Sequence, residues 1–162
     1  MCAVLAGCGW RLQGAEQLPQ SMAVIRIDTA DTYSDFFREM RGQLQAAGAT
    51  VQNSNGTAPA PAVMQVHRDE TGQRVLSVSA RNTPEEYEVY YRVEYSVQVG
   101  GAEIIPRQEL QLTASYSYDS RIVLAKQHEQ QGMQQALARE LAAVVMRRLS
   151  TLQRAASAAP QS

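Results

Sequence analysis

Lysine is almost absent from this chain, and cysteine is confined to its first eight residues. Among 162 residues there is one lysine, Lys126, against fourteen arginines, and there are eighteen glutamines. Free cytosolic proteins usually carry many lysines and glutamates, so this weakly charged surface suits contact with another macromolecule. The 15 basic and 16 acidic residues give a net charge of −1, without any long basic run. We therefore predict no nucleic-acid partner.

Long apolar runs are missing as well. The run over 141–146 is far shorter than the roughly 18–20 residues of a membrane-spanning helix. Hydrophobic residues make up 44% and charged residues 19%, which is typical of a globular protein of one domain. We predict one folded domain over 8–154, a signal-peptide remnant over 1–7 and a disordered tail over 155–162.

The two cysteines lie too close together for a useful disulfide and lack the histidine partners of a zinc site. Cys2 and Cys8 are six residues apart, and no thiol follows them. Leu5-Ala6-Gly7-Cys8 resembles the bacterial lipobox, in which an apolar residue and two small residues precede an acylated cysteine. We therefore predict lipidation of Cys8, which anchors a protein to a membrane without spanning it.

Hydrophobic periodicity predicts a strand, a helix, several strands and a second helix. The run 24–27 predicts a first strand, 34–47 a helix that Gly48 ends, and Val51 a short strand. Two further strands, 63–67 and 74–80, are expected to form a hairpin around the turn 69–72. Apolar residues alternate over 87–99 and 110–118, on either side of a Gly100–Gly101 turn, and a helical spacing follows from about 127.

Each long strand in this pattern has one apolar face, which must be covered. Two amphipathic helices can cover it. We predict an α+β two-layer sandwich: a mostly antiparallel sheet covered on one face by two amphipathic helices. The other face of the sheet is polar and is available to solvent or to a partner.

Catalytic motifs are not found. The histidines, His67 and His128, have no metal-ligand spacing and are interpreted as surface residues. There is no nucleophile elbow, phosphate-binding loop or dinucleotide fingerprint. Glu85, Glu86 and Glu88 form a carboxylate cluster that is more simply a solvated face. We predict no catalytic residue, no metal site and no cofactor.

Tyrosines form a stripe that suggests either a stacking platform or core packing. Valines share the stripe, which favours the core. Tyr90 has the opposite parity and is the better candidate for contact outside the core. The residues of the stripe are Tyr87, Tyr91, Tyr95, Tyr116 and Tyr118.

Three sets of residues stand out together: Cys8-Gly-Trp-Arg-Leu-Gln-Gly14; Arg81-Asn82, followed by Glu86-Tyr87 and the long strand pair; and Leu124-Ala-Lys126, followed by Glu129-Gln130. In this order they resemble the LptE family of lipopolysaccharide-assembly lipoproteins. The first set is similar to the start of the mature chains, the second to the middle of the family and the third to the segment that enters the last helix. The resemblance covers most of 8–152.

The resemblance implies an outer-membrane lipoprotein that faces the periplasm, plugs the lumen of the LptD β-barrel and takes part in lipopolysaccharide transport to the outer leaflet. It implies a heterodimer with LptD, binding of lipopolysaccharide, and no cofactor or bond-making step. It also implies lipopolysaccharide contacts at Arg81 and Lys126. Arginine is a bidentate partner for phosphate and lysine a point charge, so both residue types suit that ligand.

Two alternatives stay open. One is an independent lipopolysaccharide-binding lipoprotein without an obligate barrel partner. The other is a periplasmic hydrolase or lyase that uses His67 or the carboxylates of Glu85, Glu86 and Glu88, although no spacing supports it.

Overall fold

One mixed sheet carries both helices on the same face. The computed structural model describes residues 18–53, 59–117 and 123–158, with the side chains of the last helix described from His128 to Leu152. The sheet has the strand order β2-β1-β3-β4-β5. The elements, after a 3₁₀ turn at Gln20–Met22, are β1 (Val24–Asp28), α1 (Asp35–Ala46), β2 (Thr50–Asn53), β3 (Ala62–Val78), β4 (Pro84–Val99), β5 (Ala102–Ser117) and α2 (Val123–Ala158).

The sheet combines a short parallel part with a long antiparallel part. β1 is parallel to β2 and to β3, with four paired residues on each side. β3, β4 and β5 pair antiparallel along nearly their whole lengths of 17, 16 and 16 residues. The predicted α+β sandwich is confirmed, with the addition that β1 runs parallel to both of its neighbours.

The hairpin predicted around 69–72 is wrong. β3 continues through this segment as one strand and pairs residue by residue with β4, from Arg68 opposite Glu94 to Arg74 opposite Glu88. Gly72 lies opposite Tyr90, and a Cβ at Gly72 would lie 2.6 Å from the Tyr90 hydroxyl. The glycine therefore makes room for a tyrosine ring instead of making a turn.

The helix predicted over 34–47 is confirmed as α1. Ser34 is its N-cap, and the Ser34 hydroxyl accepts a hydrogen bond from the Phe37 N–H at 3.1 Å. The chain leaves the helix through Gly48, whose φ of +89° is the left-handed conformation that ends many helices. α1 buries Phe36, Phe37, Met40 and Leu44.

The second helix is longer than its apolar spacing predicted. α2 has 36 residues, so it is about 54 Å long, similar to the length of the long strands. It continues to Ala158, four residues into the segment predicted as a disordered tail, and 159–162 lie outside the described residues. Alanines at 155, 156 and 158 have high helix propensity, which explains the extension.

A single core lies between the sheet and the helices. The core-facing residues of β4 are Val89, Tyr91, Val93, Tyr95 and Val97, each at most 2% exposed. They pack with the buried faces of both helices in one cluster. Those of α2 are Leu137, Ala138, Leu141, Ala142, Val145, Met146 and Leu149.

Candidate functional site

Of the three predicted site residues, the structure describes the side chain of one. Cys8 lies outside the described residues, and so does the side chain of Lys126, although its backbone is in the first turns of α2. Arg81 is described, and it lies in the turn that joins β3 to β4. This turn, residues 79–83, is called the hairpin tip below.

Hydrogen bonds within the hairpin tip hold its backbone in a defined shape. The Ser79 N–H donates to the Thr83 carbonyl at 2.8 Å, and the Asn82 N–H donates to the Ser79 carbonyl at 2.9 Å. The Ser79 hydroxyl accepts from the N–H groups of Arg81 and Thr83, both at 3.2 Å. Asn82 has a φ of +59°, which asparagine tolerates better than most residues. The tip therefore presents Arg81 from an ordered turn.

Arg81 differs from the arginines on the strands because its guanidinium is exposed without an ion pair to any described residue. The strand arginines instead form ion pairs with glutamates of neighbouring strands. These pairs lie on the polar face of the sheet, here called the outer face. Arg74 lies 2.5 Å from Glu88, and Arg107 lies 2.6 Å from Glu94. The free donors of Arg81 suit an external anion such as phosphate.

These two ion pairs belong to a ladder of outer-face charges across three strands. Arg92 of β4 lies 3.5 Å from Glu70 of β3 and 3.6 Å from Glu109 of β5, and it donates two hydrogen bonds to Gln111. The bidentate bond from Arg107 holds the pKa of the Glu94 carboxyl below its usual range. The eight residues of this ladder are Arg68, Glu70, Arg74, Glu88, Arg92, Glu94, Arg107 and Glu109.

Topology brings the start of α2 to the same end of the sheet as the hairpin tip. Ser117, the last residue of β5, is paired with Glu86, two residues from the start of β4. Five residues, 118–122, separate Ser117 from α2, so Val123 lies within about 20 Å of it. The lipopolysaccharide contact of Lys126 stays a prediction.

A polar cluster that the sequence did not predict fixes α1 on the sheet. The Asp69 carboxylate accepts hydrogen bonds from the Ser34 hydroxyl at 2.5 Å and from the Tyr91 hydroxyl at 2.8 Å. Tyr91 in turn accepts from the Phe36 N–H at 3.1 Å. These bonds satisfy donors of the first turn of α1. We call Ser34, Asp69 and Tyr91 the α1 staple.

Burial dominates the ionisation of this cluster. It raises the pKa of the Asp69 carboxyl, against the hydrogen bonds from Ser34 and Tyr91, which lower it. Burial also raises the pKa of the Tyr91 hydroxyl well above its usual value. No signal in the sequence indicates this cluster, because the segment 69–72 has the composition of a turn.

A second cluster, the α2 staple, connects α2 to β4 and β5. Arg148 of α2 donates to the Gln108 side chain at 2.5 Å, and Gln108 donates to the Tyr95 hydroxyl at 3.1 Å. Burial raises the pKa of Tyr95, while the Arg148 charge lowers it. The hydroxyl of a fully buried tyrosine thus has a partner.

The tyrosine stripe is core, as the sequence favoured. Tyr91, Tyr95 and Tyr116 are buried, and the ring of Tyr116 stacks on Tyr87 with centroids 5.8 Å apart. Tyr118 lies outside the described residues. Tyr90 is on the outer face, where its ring covers Gly72.

The candidate catalytic residues do not form a site. Glu88 pairs with Arg74, and Glu86 accepts from Ser77 at 3.1 Å. His67 is half-buried rather than on the surface, and its Nε2 lies 3.0 Å from the Ser96 hydroxyl because it occupies an irregularity in the β3–β4 pairing. His128 is exposed. Within the described ranges, no three histidine, cysteine or acidic side chains are grouped so as to hold a metal ion.

Solved structures share this fold. The solution structure of lipoprotein B from Nitrosomonas europaea superposes with a TM-score of 0.73 at 23% identity, covering 91% of this chain and 94% of that one. The crystal structure of rare lipoprotein B from Shewanella oneidensis has a TM-score of 0.68 at 21% identity and covers 83% and 98%. These structures define the fold class to which this chain belongs. No helix in the described ranges is long and apolar enough to cross a membrane.

Sequence comparison identifies the family within this class. The model of the LptE lipopolysaccharide-assembly family matches residues 22–149, so the chain belongs to that family. The LPS-assembly lipoprotein LptE of Yersinia enterocolitica is 25% identical over 146 residues, which cover 90% of this chain and 70% of the relative. The resemblance inferred from the sequence is confirmed.

Proposed function

We propose that this chain is a non-enzymatic lipoprotein of the outer membrane, that it plugs and supports assembly of the LptD β-barrel, and that it binds lipopolysaccharide during transport to the outer leaflet. Acyl chains on Cys8 anchor it to the periplasmic side of the membrane. Family membership supports a part in lipopolysaccharide assembly. The Yersinia relative carries the name LPS-assembly lipoprotein.

The observation that carries the plug proposal is the outer face of the sheet. Its eight-residue ladder contains four arginines and four glutamates, so the ladder is polar and balanced in charge. The lumen of an outer-membrane barrel is polar, and a ladder of paired charges fits there without leaving its members buried and unpaired.

An affinity pull-down of the full-length lipoprotein from native membranes in mild detergent tests the plug proposal. Intact mass measurement then identifies everything retained. We expect LptD in a one-to-one ratio and a mass increase on Cys8 from its acyl chains. Lipoprotein retained without the barrel would contradict the plug, and a free Cys8 thiol would contradict the anchor.

Arg81 supports the proposed binding of lipopolysaccharide. The same residue favours the alternative, an independent lipopolysaccharide-binding lipoprotein. Its guanidinium is exposed on an ordered turn, unpaired with any described residue. We expect Arg81 and Lys126 to contact the phosphates of the ligand.

Replacing Arg81 by alanine should weaken lipopolysaccharide binding roughly tenfold, because a charge-assisted hydrogen bond is lost. Arg41→Ala is the matched control, since Arg41 is an exposed arginine on α1 away from the hairpin tip. Affinity is measured at several salt concentrations, and thermal melts verify folding. Equal affinities of the two variants would remove Arg81 from the binding site.

A further inference from the structure

Among the described residues, one side of β3 has no partner strand over most of its length. β1 pairs with β3 only from Ala62 to Gln65. In the part of the chain that the structure describes, no strand lies beside 66–78 on that side. This segment, called the free edge below, offers unpaired backbone N–H and C=O groups, which readily accept another strand.

Large apolar side chains are exposed along the free edge. Within the described ranges the large hydrophobic residues with high exposure are Tyr33, Val75, Leu76 and Val78, at 85%, 47%, 50% and 51%. Three of them lie on the free edge. Tyr33 directly precedes Ser34, whose hydroxyl donates to Asp69 of the same strand. Exposed apolar residues gathered at one edge indicate a surface that is covered in an assembly.

The charges on the free edge indicate what covers it. Glu70 and Arg74 both lie on the outer face, opposite Arg92 and Glu88 of β4. If β3 pairs antiparallel with β3 of a second copy, centred on Gly72, Glu70 of each copy stands opposite Arg74 of the other. Opposite charges in directly opposed positions stabilise strand pairing, and like charges destabilise it.

Neighbouring registers lack this complementarity. Moving the centre by one residue towards the N-terminus sets Arg68 opposite Arg74, which is repulsive. Moving it by one residue towards the C-terminus sets Glu70 opposite Leu76 and Arg74 opposite Gly72, so neither charge meets an opposite charge of the other copy. Of these three registers, only the one centred on Gly72 sets opposite charges against each other.

We propose that the chain, when it is not bound to another protein, forms a twofold dimer in which the free edges of β3 pair antiparallel about Gly72. The two sheets then form one continuous sheet with all helices on the same face. Asp69 of one copy stands opposite Val75 of the other, so the exposed Val75 lies beside the residue that binds Ser34, the neighbour of Tyr33. A twofold pairing closes both free edges at once. This dimer is independent of the proposed function.

Charge reversal at the two self-complementary positions tests the register. The full 162-residue chain is expressed without export, so that Cys8 carries no acyl chain, and its self-association is measured by sedimentation equilibrium. Glu70→Arg and Arg74→Glu should each weaken self-association at least roughly tenfold, because each homodimer then contains two like-charge pairs. An equimolar mixture of the two variants should dimerise again, because every opposed pair is then complementary.

Arg107→Glu is the matched control, since it disrupts an outer-face ion pair with Glu94 that lies away from the free edge. We expect its self-association to equal that of the unchanged chain. Restored dimers in the mixture also exclude misfolding of either variant. An unchanged chain that stays monomeric at every concentration would overturn the proposal. Equal self-association of Glu70→Arg, Arg74→Glu and the unchanged chain would also overturn it. So would amides of the free edge that gain hydrogen-exchange protection only when the barrel is added.

Discussion

Polar side chains are arranged differently on the two faces of the sheet. On the face under the helices, a few polar groups form the α1 and α2 staples, and each hydroxyl or carboxylate has a defined partner. On the outer face, eight charged residues form a ladder in contact with water. Buried polar contacts are costly to break and therefore fix helix positions, whereas exposed ion pairs contribute little to stability. The covered face determines the fold, and the outer face is free to serve a partner.

Truncation of adjacent residues in β4 gives the sharpest contrast between the faces. Val93 is fully buried, and Val93→Ala should lower the free energy of unfolding by about 2.5 kcal/mol through lost burial and a residual cavity. Arg92→Ala, one residue away on the outer face, should lower it by less than about 1 kcal/mol. Urea unfolding measures both. Equal losses would mean that the ladder stabilises the fold as much as the core does.

Removal of single tyrosine hydroxyls compares the α1 staple with the outer face. Tyr91→Phe removes a donor to Asp69 and the acceptor of the Phe36 N–H, and should cost about 1–2 kcal/mol. Tyr90→Phe on the outer face should change the free energy of unfolding by less than about 0.5 kcal/mol. Hydrogen exchange of the first turn of α1 should also be faster in Tyr91→Phe alone. Similar values for both variants would show that the staple does not hold the helix.

The smallest expected effect is a pH dependence from Asp69. Burial raises the pKa of its carboxyl above the usual 3.8, and the Asp31 and Asp35 carboxylates raise it further, against the hydrogen bonds from Ser34 and Tyr91. The folded chain thus keeps a proton that the unfolded chain has lost. Stability contributed by this group should fall as the pH rises from 3.8 through the raised pKa, and stay level above it.

Asp69→Asn isolates that contribution, because an amide of the same shape does not titrate. Chemical unfolding is measured at a series of pH values from about 3.5 to 7. The free energy of unfolding of the variant should rise relative to that of the unchanged chain as the pH rises. Glu70→Gln, the neighbouring outer-face residue, serves as the control. A difference that is constant with pH would show that the Asp69 pKa is not raised.

Much of the fold could be predicted because β4 and β5 follow a simple alternation. Tyr91 and Val93 face the core and Tyr90 and Arg92 face outwards, as their positions in the sequence indicate. The turn at Gly100–Gly101 needs positive φ at both residues, and it has them. The segment 69–72 was misleading because its composition is that of a turn, while its structure is decided by pairing with β4. Local preference gave way to tertiary contacts there.

The candidate site was predictable in part. The sequence placed Arg81 in a turn after a strand, and the structure agrees. The α1 staple was not predictable, because Asp69 reaches Ser34 across 35 residues of sequence only when β3 is one continuous strand. Which groups meet across a sheet depends on register, and register is decided by all the pairs together.

The irregularity at His67 adds one residue to β3 and so exchanges the faces to which the following side chains point. Before it, Met64 and Val66 oppose the core residues of β4, and after it Asp69 and Thr71 do so. Even-numbered side chains are inward on one side of His67 and odd-numbered ones on the other. If the alternation before His67 continued unchanged, the ladder charges on this strand would all point at the helices. Deleting His67 would remove the extra residue and leave Arg68 outward and Asp69 inward, whereas a regular strand that kept His67 would reverse the faces of the residues that follow it.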